Sequence, residues 1–239
     1  ELEIARDMQL SVLPQALPQL PGFDLGALIV PARAVGGDFY DLIPLGDQRI
    51  GIAVGDVCDK GVPAALFMMR TYSLLRAKAG PHNSPVQVLR DVNRHLLSRN
   101  PGGMFVTLLY GILDCATSRF TYARAGHPVP IMLDRLSQPI AVPSRPGQPL
   151  GLWEKPLLDI EEVLLPEGAM VLAFSDGLSD AMQDADGLTL QNLCCALASK
   201  PGATAQGVVV QLFQEVVARS TVEHQRDDFV AVAVKRIGS

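Results

Sequence analysis

The chain has 239 residues, 48% of them hydrophobic and 19% charged, which suits one large core better than two small ones. Lys and Arg number 20 against 25 Asp and Glu, giving a net charge of −5, and no basic run with interleaved aromatics occurs, so nucleic-acid binding is not expected. The longest apolar stretches, such as Ala169–Phe174 and Phe229–Val234, are far shorter than a bilayer span, so no membrane contact is expected of this segment.

In chain order, Glu1–Leu13 reads as a helix with Leu2, Ala5, Met8 and Val12 at helical spacing, ended by Pro14, Pro18 and Pro21. The sequence starts without an initiator Met and so reads as a piece of a longer protein, with residues 1–20 a linker or switch helix and 21–239 the folded domain. Strands are expected at Asp24–Pro31, Phe39–Leu45 and Arg49–Asp56, the last two joined by a Gly46-Asp47-Gln48 turn. Helices are expected at Pro63–Ala79, where Pro stands in the first turn, and at Pro85–Arg99 behind a Ser84 cap. Strands return at Phe105–Leu113, Arg119–Ala125, Pro130–Asp134, Ile160–Leu165 and Ala169–Ser175, and Pro139–Gly151 reads as a loop. Helices at Thr189–Ser199 and Ala203–Arg219 precede a closing strand at Asp228–Lys235. Hairpins combined with helices in pairs indicate an α+β fold, an antiparallel β-sandwich flanked by pairs of helices. A doubly wound sheet would alternate single helices with strands.

Aspartates recur where these apolar runs end: Gly36-Gly37-Asp38-Phe39-Tyr40-Asp41, Gly55-Asp56-Val57, Ser175-Asp176-Gly177 and Arg226-Asp227-Asp228. Taken singly, each is a turn signal. Taken together, they bring hard oxygen ligands to the sheet ends, where repelling carboxylates are best neutralised by Mg²⁺ or Mn²⁺. Cys58, Cys115, Cys194 and Cys195 form no Cys-x-x-Cys pair, and free thiols are expected. His82, His95, His127 and His224 lack metal-motif spacing.

The motifs quoted above, with Gly55-Asp56-Val57-Cys58-Asp59-Lys60-Gly61-Val62-Pro63-Ala64-Ala65 and Ala125-Gly126-His127-Pro128, resemble in order and spacing those of the SpoIIE/RsbU-type serine phosphatases. These are bacterial members of the metal-dependent (PPM, type 2C) protein phosphatases, and the resemblance runs from about Met8 to Arg236. It implies a β-sandwich flanked by helix pairs with two Mn²⁺ or Mg²⁺ ions at one end, a third weaker ion being an open question. Hydrolysis of phosphoserine or phosphothreonine on a STAS-type anti-sigma-factor antagonist, or a similar small phosphoprotein, is the activity it implies. The resemblance makes Asp38, Asp56, Asp176 and Asp227 the catalytic ligands and adds the Val57 carbonyl, with Asp228 the alternative at the last position. Asp41, Asp180 and Asp59 are left between supporting roles, a weaker metal and solvated turns, and for Asp59 the turn is favoured.

Residue chemistry agrees. A phosphomonoester dianion hydrolyses very slowly, and two divalent ions about 3.5–4 Å apart offset its charge and acidify a water. No Cys-x5-Arg or Gly-x-Ser-x-Gly nucleophile motif is present to form a covalent intermediate. Cys58 is expected to be a small turn residue, His127 a buried turn-fixing residue, and Lys60 a loop cap before the Pro63 helix rather than a phosphate ligand. A cytoplasmic location is expected, with tethering to the inner membrane only through upstream domains, and the first helix is expected to carry a signal or pair with a second copy. A catalytically weak binding module of the same fold and a small-molecule phosphohydrolase are the competing readings.

Overall fold

The computed structural model describes residues 1–100, 102–183, 189–219 and 227–238. Its elements are α1 (Leu2–Val12), β1 (Phe23–Val30), β2 (Phe39–Gly46), β3 (Arg49–Val57), α2 (Val62–Lys78), α3 (Pro85–Leu97), β4 (Val106–Asp114) and β5 (Arg119–Ala125), followed by β6 (Ile131–Leu133), β7 (Pro139–Ile140), β8 (Asp159–Leu164), β9 (Met170–Phe174), α4 (Asp176–Gln183), α5 (Leu190–Ala198), α6 (Ala205–Arg219) and β10 (Phe229–Arg236). Two five-stranded antiparallel sheets form, in the orders β1-β10-β9-β6-β7 and β2-β3-β4-β5-β8.

The central strands are apolar on both faces because each sheet packs against the other on one side and against helices on the outer side. In β10, Val230, Val232 and Val234 enter the core between the sheets, while Phe229, Ala231 and Ala233 face helices. Burying such a Val or Phe contributes about 1.5–3 kcal/mol. On the other sheet, Ile52, Val54, Leu109 and Tyr122 point inward, and Phe39, Ala53, Leu108 and Tyr110 lie under α2 and α3. The α3 stripe Val88, Leu89, Val92 and Leu96 is fully buried, and its first turn is capped by Ser84, whose hydroxyl accepts from the Gln87 amide at 3.3 Å.

Turn chemistry sets the β2–β3 register. Asp47 and Gln48 both adopt positive φ (49° and 57°), the conformation of a tight two-residue hairpin turn, and Gly46 pairs with Arg49 across it. That register places Phe39 opposite Gly55, and so brings Asp38 and Asp56 to the same end of the hairpin. On the other sheet, the Ser175 amide donates to the Val230 carbonyl at 3.0 Å, which puts Asp176 beside the start of β10.

The expected sandwich is present, with three differences. Ser175-Asp176-Gly177 is not only a strand end: Asp176 opens α4, so the helical layer on the β1-β10-β9-β6-β7 sheet holds α4, α5 and α6. A Gly in the first turn lowers helix propensity and masks this short helix in the sequence, yet a Cβ at Gly177 would lie 2.1 Å from the Asp228 carbonyl oxygen. Within the expected 139–151 loop, Pro139 and Ile140 form the short strand β7, and Leu150 bridges to Val106. In α1, Met8 is 64% exposed and the buried residue is its neighbour Gln9.

Gly26 of β1 has a specific reason for being glycine, since a Cβ there would stand 2.4 Å from the backbone carbon of Ala205 at the start of α6. Gly26→Ala must push α6 off the sheet, and a destabilisation of about 1–3 kcal/mol is expected in urea unfolding, as for other overpacked positions. Wild-type stability in this variant would contradict the close approach of α6.

Candidate metal centre

Asp38 precedes β2, Asp56 is the penultimate residue of β3, Asp176 follows β9, and Asp227 and Asp228 precede β10. Both sheets therefore contribute, and Asp38, Asp56, Asp227 and Asp228 line one cleft with the Gly36-Gly37 and Asp59-Lys60-Gly61 turns. Asp176 belongs to the same electrostatic cluster, since its charge raises the proton affinity of Asp56.

Crowding and burial act together on these carboxyls. Asp38 is held well above the usual carboxylate range, first by burial and then by the charges of Asp56 and Asp228, with a hydrogen bond from Ser175 working in the opposite direction. Asp56 is pushed up to about 7, chiefly by burial. Asp176 is raised by burial and by Asp227 and Asp180. One oxygen of Asp38, Oδ2, is buried with no hydrogen-bond partner. An acceptor in that condition, among carboxyls that resist ionising, fits a cation. Among the described residues no three Asp, Glu, His or Cys side chains already converge as a closed ligand set.

Asp228 is 8% exposed and holds the loop before β2: Oδ1 accepts from the Ala32 amide at 2.7 Å and Oδ2 from the Gly37 amide at 3.2 Å. The motif glycines exist for this approach. A Cβ at Gly36 would lie 2.1 Å from Asp228 Oδ2, and one at Gly37 would lie 2.8 Å from the Val57 carbonyl oxygen. Asp227 is instead partly open, and Lys60 Nζ donates to its Oδ2 at 2.8 Å. Lys60 is thus an ion-pair partner at the cleft as well as part of the loop before α2, a pairing across 167 positions that local patterning cannot show.

Several other residues find definite places. Asp41 is fully buried and takes a two-pronged ion pair from Arg76, Nε to Oδ2 at 2.7 Å and Nη2 to Oδ1 at 2.8 Å, so it fastens β2 to α2 and is neither a ligand nor a solvated turn residue. Asp59 is an exposed turn residue at φ 73° whose Oδ1 accepts from the Lys60 amide. Asp180 on α4 adds negative charge near Asp176. The Cys58 sulfur accepts from the Phe105 amide at 3.1 Å and burial raises its pKa, so the thiol is protonated and packed in the turn, and all four cysteines are unbridged. His127 is buried beside Thr107, as a turn-fixing residue should be.

Gln9 escaped the sequence reading. Its amide makes a reciprocal pair with Gly36, Nε2 donating to the carbonyl at 2.6 Å and Oε1 accepting from the amide at 3.1 Å, so α1 grips the loop that leads into Asp38. The available signal was a polar residue spaced 4 and 3 positions from Ala5 and Val12, in the middle of the apolar stripe.

The electrostatics predict a pH dependence. Folded Asp56 keeps its proton up to about pH 7, whereas the unfolded carboxyl releases it near 3.8. The resulting stabilisation is complete below the lower value and is lost as pH rises through the higher one. In chelator, the melting temperature is therefore expected to fall between about pH 5 and pH 8, Mn²⁺ is expected to restore it at the higher pH, and Asp56→Asn is expected to flatten the dependence. A melting temperature that rises over this range would refute the clustered-carboxyl account.

Comparison with known proteins agrees with this geometry. The family model of Stage II sporulation protein E (SpoIIE) matches residues 46–237. Protein IcfG of Synechocystis is 30% identical over 99% of this chain, which spans 41% of that protein, and phosphoserine phosphatase RsbU of Bacillus subtilis is 29% identical over 99% of this chain and 70% of its own length. Among solved structures, the RsbU and RsbW domains of Rv1364c from Mycobacterium tuberculosis superpose with a TM-score of 0.76 at 28% identity, covering 92% of this chain and 61% of that one. The ordered motifs, the two-sheet sandwich and these matches together place the chain in the SpoIIE/RsbU-type PPM phosphatase-domain family.

Proposed function

We propose that this domain hydrolyses phosphoserine or phosphothreonine on a small partner protein, with a STAS-type anti-sigma-factor antagonist as the substrate class, as the output domain of a longer signalling protein. The observation that carries the reading is the electrostatic cluster of Asp38, Asp56 and Asp176, each with its pKa raised by burial and by neighbouring carboxylates, with Asp227 beside it at one end of the sandwich. Asp38, Asp56, the Val57 carbonyl, Asp176 and Asp227 would hold two Mn²⁺ or Mg²⁺ ions. The ions supply charge to offset the phosphoryl dianion and a water acidified for attack. Asp227 is preferred to Asp228 at the last position because Asp228 already gives both oxygens to backbone amides and so fixes the loop that carries Asp38.

The chain's own groups set the environment. Asp228 and Gln9 hold the Gly36-Gly37-Asp38 turn rigid from two sides, and Lys60 is a cationic donor within reach of the cleft. The described cleft lining contains no aromatic side chain on which a nucleobase would stack. That favours a phosphorylated side chain delivered by a protein over a nucleotide. Because the chain spans 41% of IcfG, regulation by further segments follows naturally, and α1 is the element that would receive it. Its exposed Leu2, Ile4 and Met8 would pair with an upstream segment or a second copy, and Gln9 would pass the change to the Asp38 loop.

Mn²⁺ titration against an aryl phosphate tests the chemistry. Activity is expected to appear with the metal and to fall to background in Asp56→Asn and Asp176→Asn, both still folded by circular dichroism. Near-normal turnover of either at saturating Mn²⁺ would exclude its assigned role. Parallel assays on a phosphoserine STAS-domain protein and on nucleotides separate the substrate classes. For the switch, Gln9→Ala is expected to weaken Mn²⁺ binding about tenfold, the usual scale for a supporting hydrogen bond, with little change in unfolding free energy. Equal loss of both would make α1 ordinary packing.

A further inference from the structure

The mouth of the cleft has one apolar side. Among the described residues the cleft is lined from the segments 32–38, 56–61 and 227–228. Of these only 56–61 runs straight on into exposed large apolar side chains, Val62 and Leu66 of α2, the latter 67% exposed. The first eight residues of α2, 62–69, are all apolar. Ala64, Ala65, Phe67 and Met68 are buried, which leaves Val62 and Leu66, one turn apart, on the outer face where a surface helix carries polar groups.

A second apolar pair stands on a loop built to hold it out. Leu152 and Trp153, the only Trp in the sequence, are 40% and 42% exposed. The wholly buried Asn93 of α3 accepts from the Gly151 amide at 2.8 Å and donates to the Trp153 carbonyl at 2.8 Å, and Asn100 donates to the Gly151 carbonyl at 3.0 Å. Leu150, just before them, exchanges both backbone hydrogen bonds with Val106. An aromatic side chain whose backbone is fixed in advance loses little freedom on contact, the condition of an interface anchor.

The two pairs belong to the same side of the cleft. A Cβ at Gly151 would lie 2.8 Å from the Met104 carbonyl oxygen and 3.5 Å from the Phe105 Cα. Phe105 in turn accepts from the Cys58 amide at 3.0 Å and donates to the Cys58 sulfur at 3.1 Å. Through Phe105, the Trp153 loop is seated against the same 56–61 turn that leads into α2.

Resting on the phosphoprotein reading above, we propose that Val62, Leu66, Leu152 and Trp153 form the docking surface for the body of the folded phosphoprotein whose phosphorylated side chain enters the cleft. The occupant follows from position. Gly61 lines the cleft and Val62 is the next residue, so a folded protein that delivers a side chain there covers the ground beside it. With a net charge of −5 the chain offers an anionic protein little long-range attraction, so affinity has to come from contact away from the phosphate. The matching partner carries an exposed apolar patch beside its phosphorylated residue.

Leu66→Gln keeps helix propensity, and Trp153→Ser leaves the backbone hydrogen bonds of its loop in place. Each is expected to lower kcat/KM on a phosphoserine STAS-domain protein about tenfold, through KM, while kcat/KM on an aryl phosphate stays within about twofold. A phosphoserine peptide from the same protein, which lacks the folded surface, is expected to be cleaved equally by native and variant chains. Trp153 also reports directly: a Trp-free, unphosphorylated form of that protein is expected to protect its fluorescence from acrylamide quenching, Leu66→Gln to weaken the protection, and inorganic phosphate to give none. Native phosphoprotein kinetics in the double variant overturn the proposal. Equal losses on both substrates do so too, by making the surface part of the site's own packing, as does a changed sedimentation coefficient, by making it an interface between copies of this chain. If the unsubstituted chain cleaves no phosphoprotein, the substrate reading fails separately and quenching still decides the docking: protection supports it and its absence rejects it.

Discussion

Burial and mutual repulsion among clustered carboxyls are the constraint around which this domain is organised. Asp38, Asp56 and Asp176 each hold protons more tightly than free carboxyls, with burial as the first cause and their neighbours' charge as the second. Keeping such groups together costs stability unless something cationic or hydrogen-bond donating offsets them. The chain does so locally by giving Asp228 two backbone amides and Asp227 the Lys60 ammonium. What remains, an acceptor on Asp38 with no partner, defines the chemistry the cleft favours.

That arrangement depends on the sandwich. Asp38 and Asp56 are neighbours because a two-residue hairpin turn sets the β2–β3 register, whereas Asp176 and Asp227 come from β9 and β10 in the other sheet. Register therefore fixes distances within each pair, and packing between the sheets fixes the distance from one pair to the other. A one-residue slip in either strand pair would turn a ligand away from the cleft, so the large apolar core between the sheets has a functional as well as a stabilising role.

The same logic reaches outward to the helices. Asp41, one strand position from the cleft hairpin's apolar residues, binds Arg76 of α2, and that guanidinium also lies over Tyr72, whose hydroxyl donates to the Val12 carbonyl at the end of α1. Gln9 then returns from α1 to Gly36. Helix α1, helix α2 and the Asp38 loop are consequently linked by hydrogen bonds, one ion pair and one cation–π contact.

The strands, most helices and the acidic motifs were legible in the sequence because each is written in local terms: apolar alternation, a Ser84 cap, Pro at a helix start, and Asp beside Gly at the ends of apolar runs. Helix α4 was not, since Gly177 is a poor helix former kept for its close contact with Asp228. Tertiary structure alone decided which partner each carboxyl meets: Asp41 found Arg76 35 positions away, Asp228 found the amides of a loop more than 190 positions away, and Asp227 found Lys60. Periodicity assigns a residue to a face, and a motif gives it a chemical type, but the sequence contains no term for a hydrogen bond between groups that only the docking of two sheets brings within 3 Å.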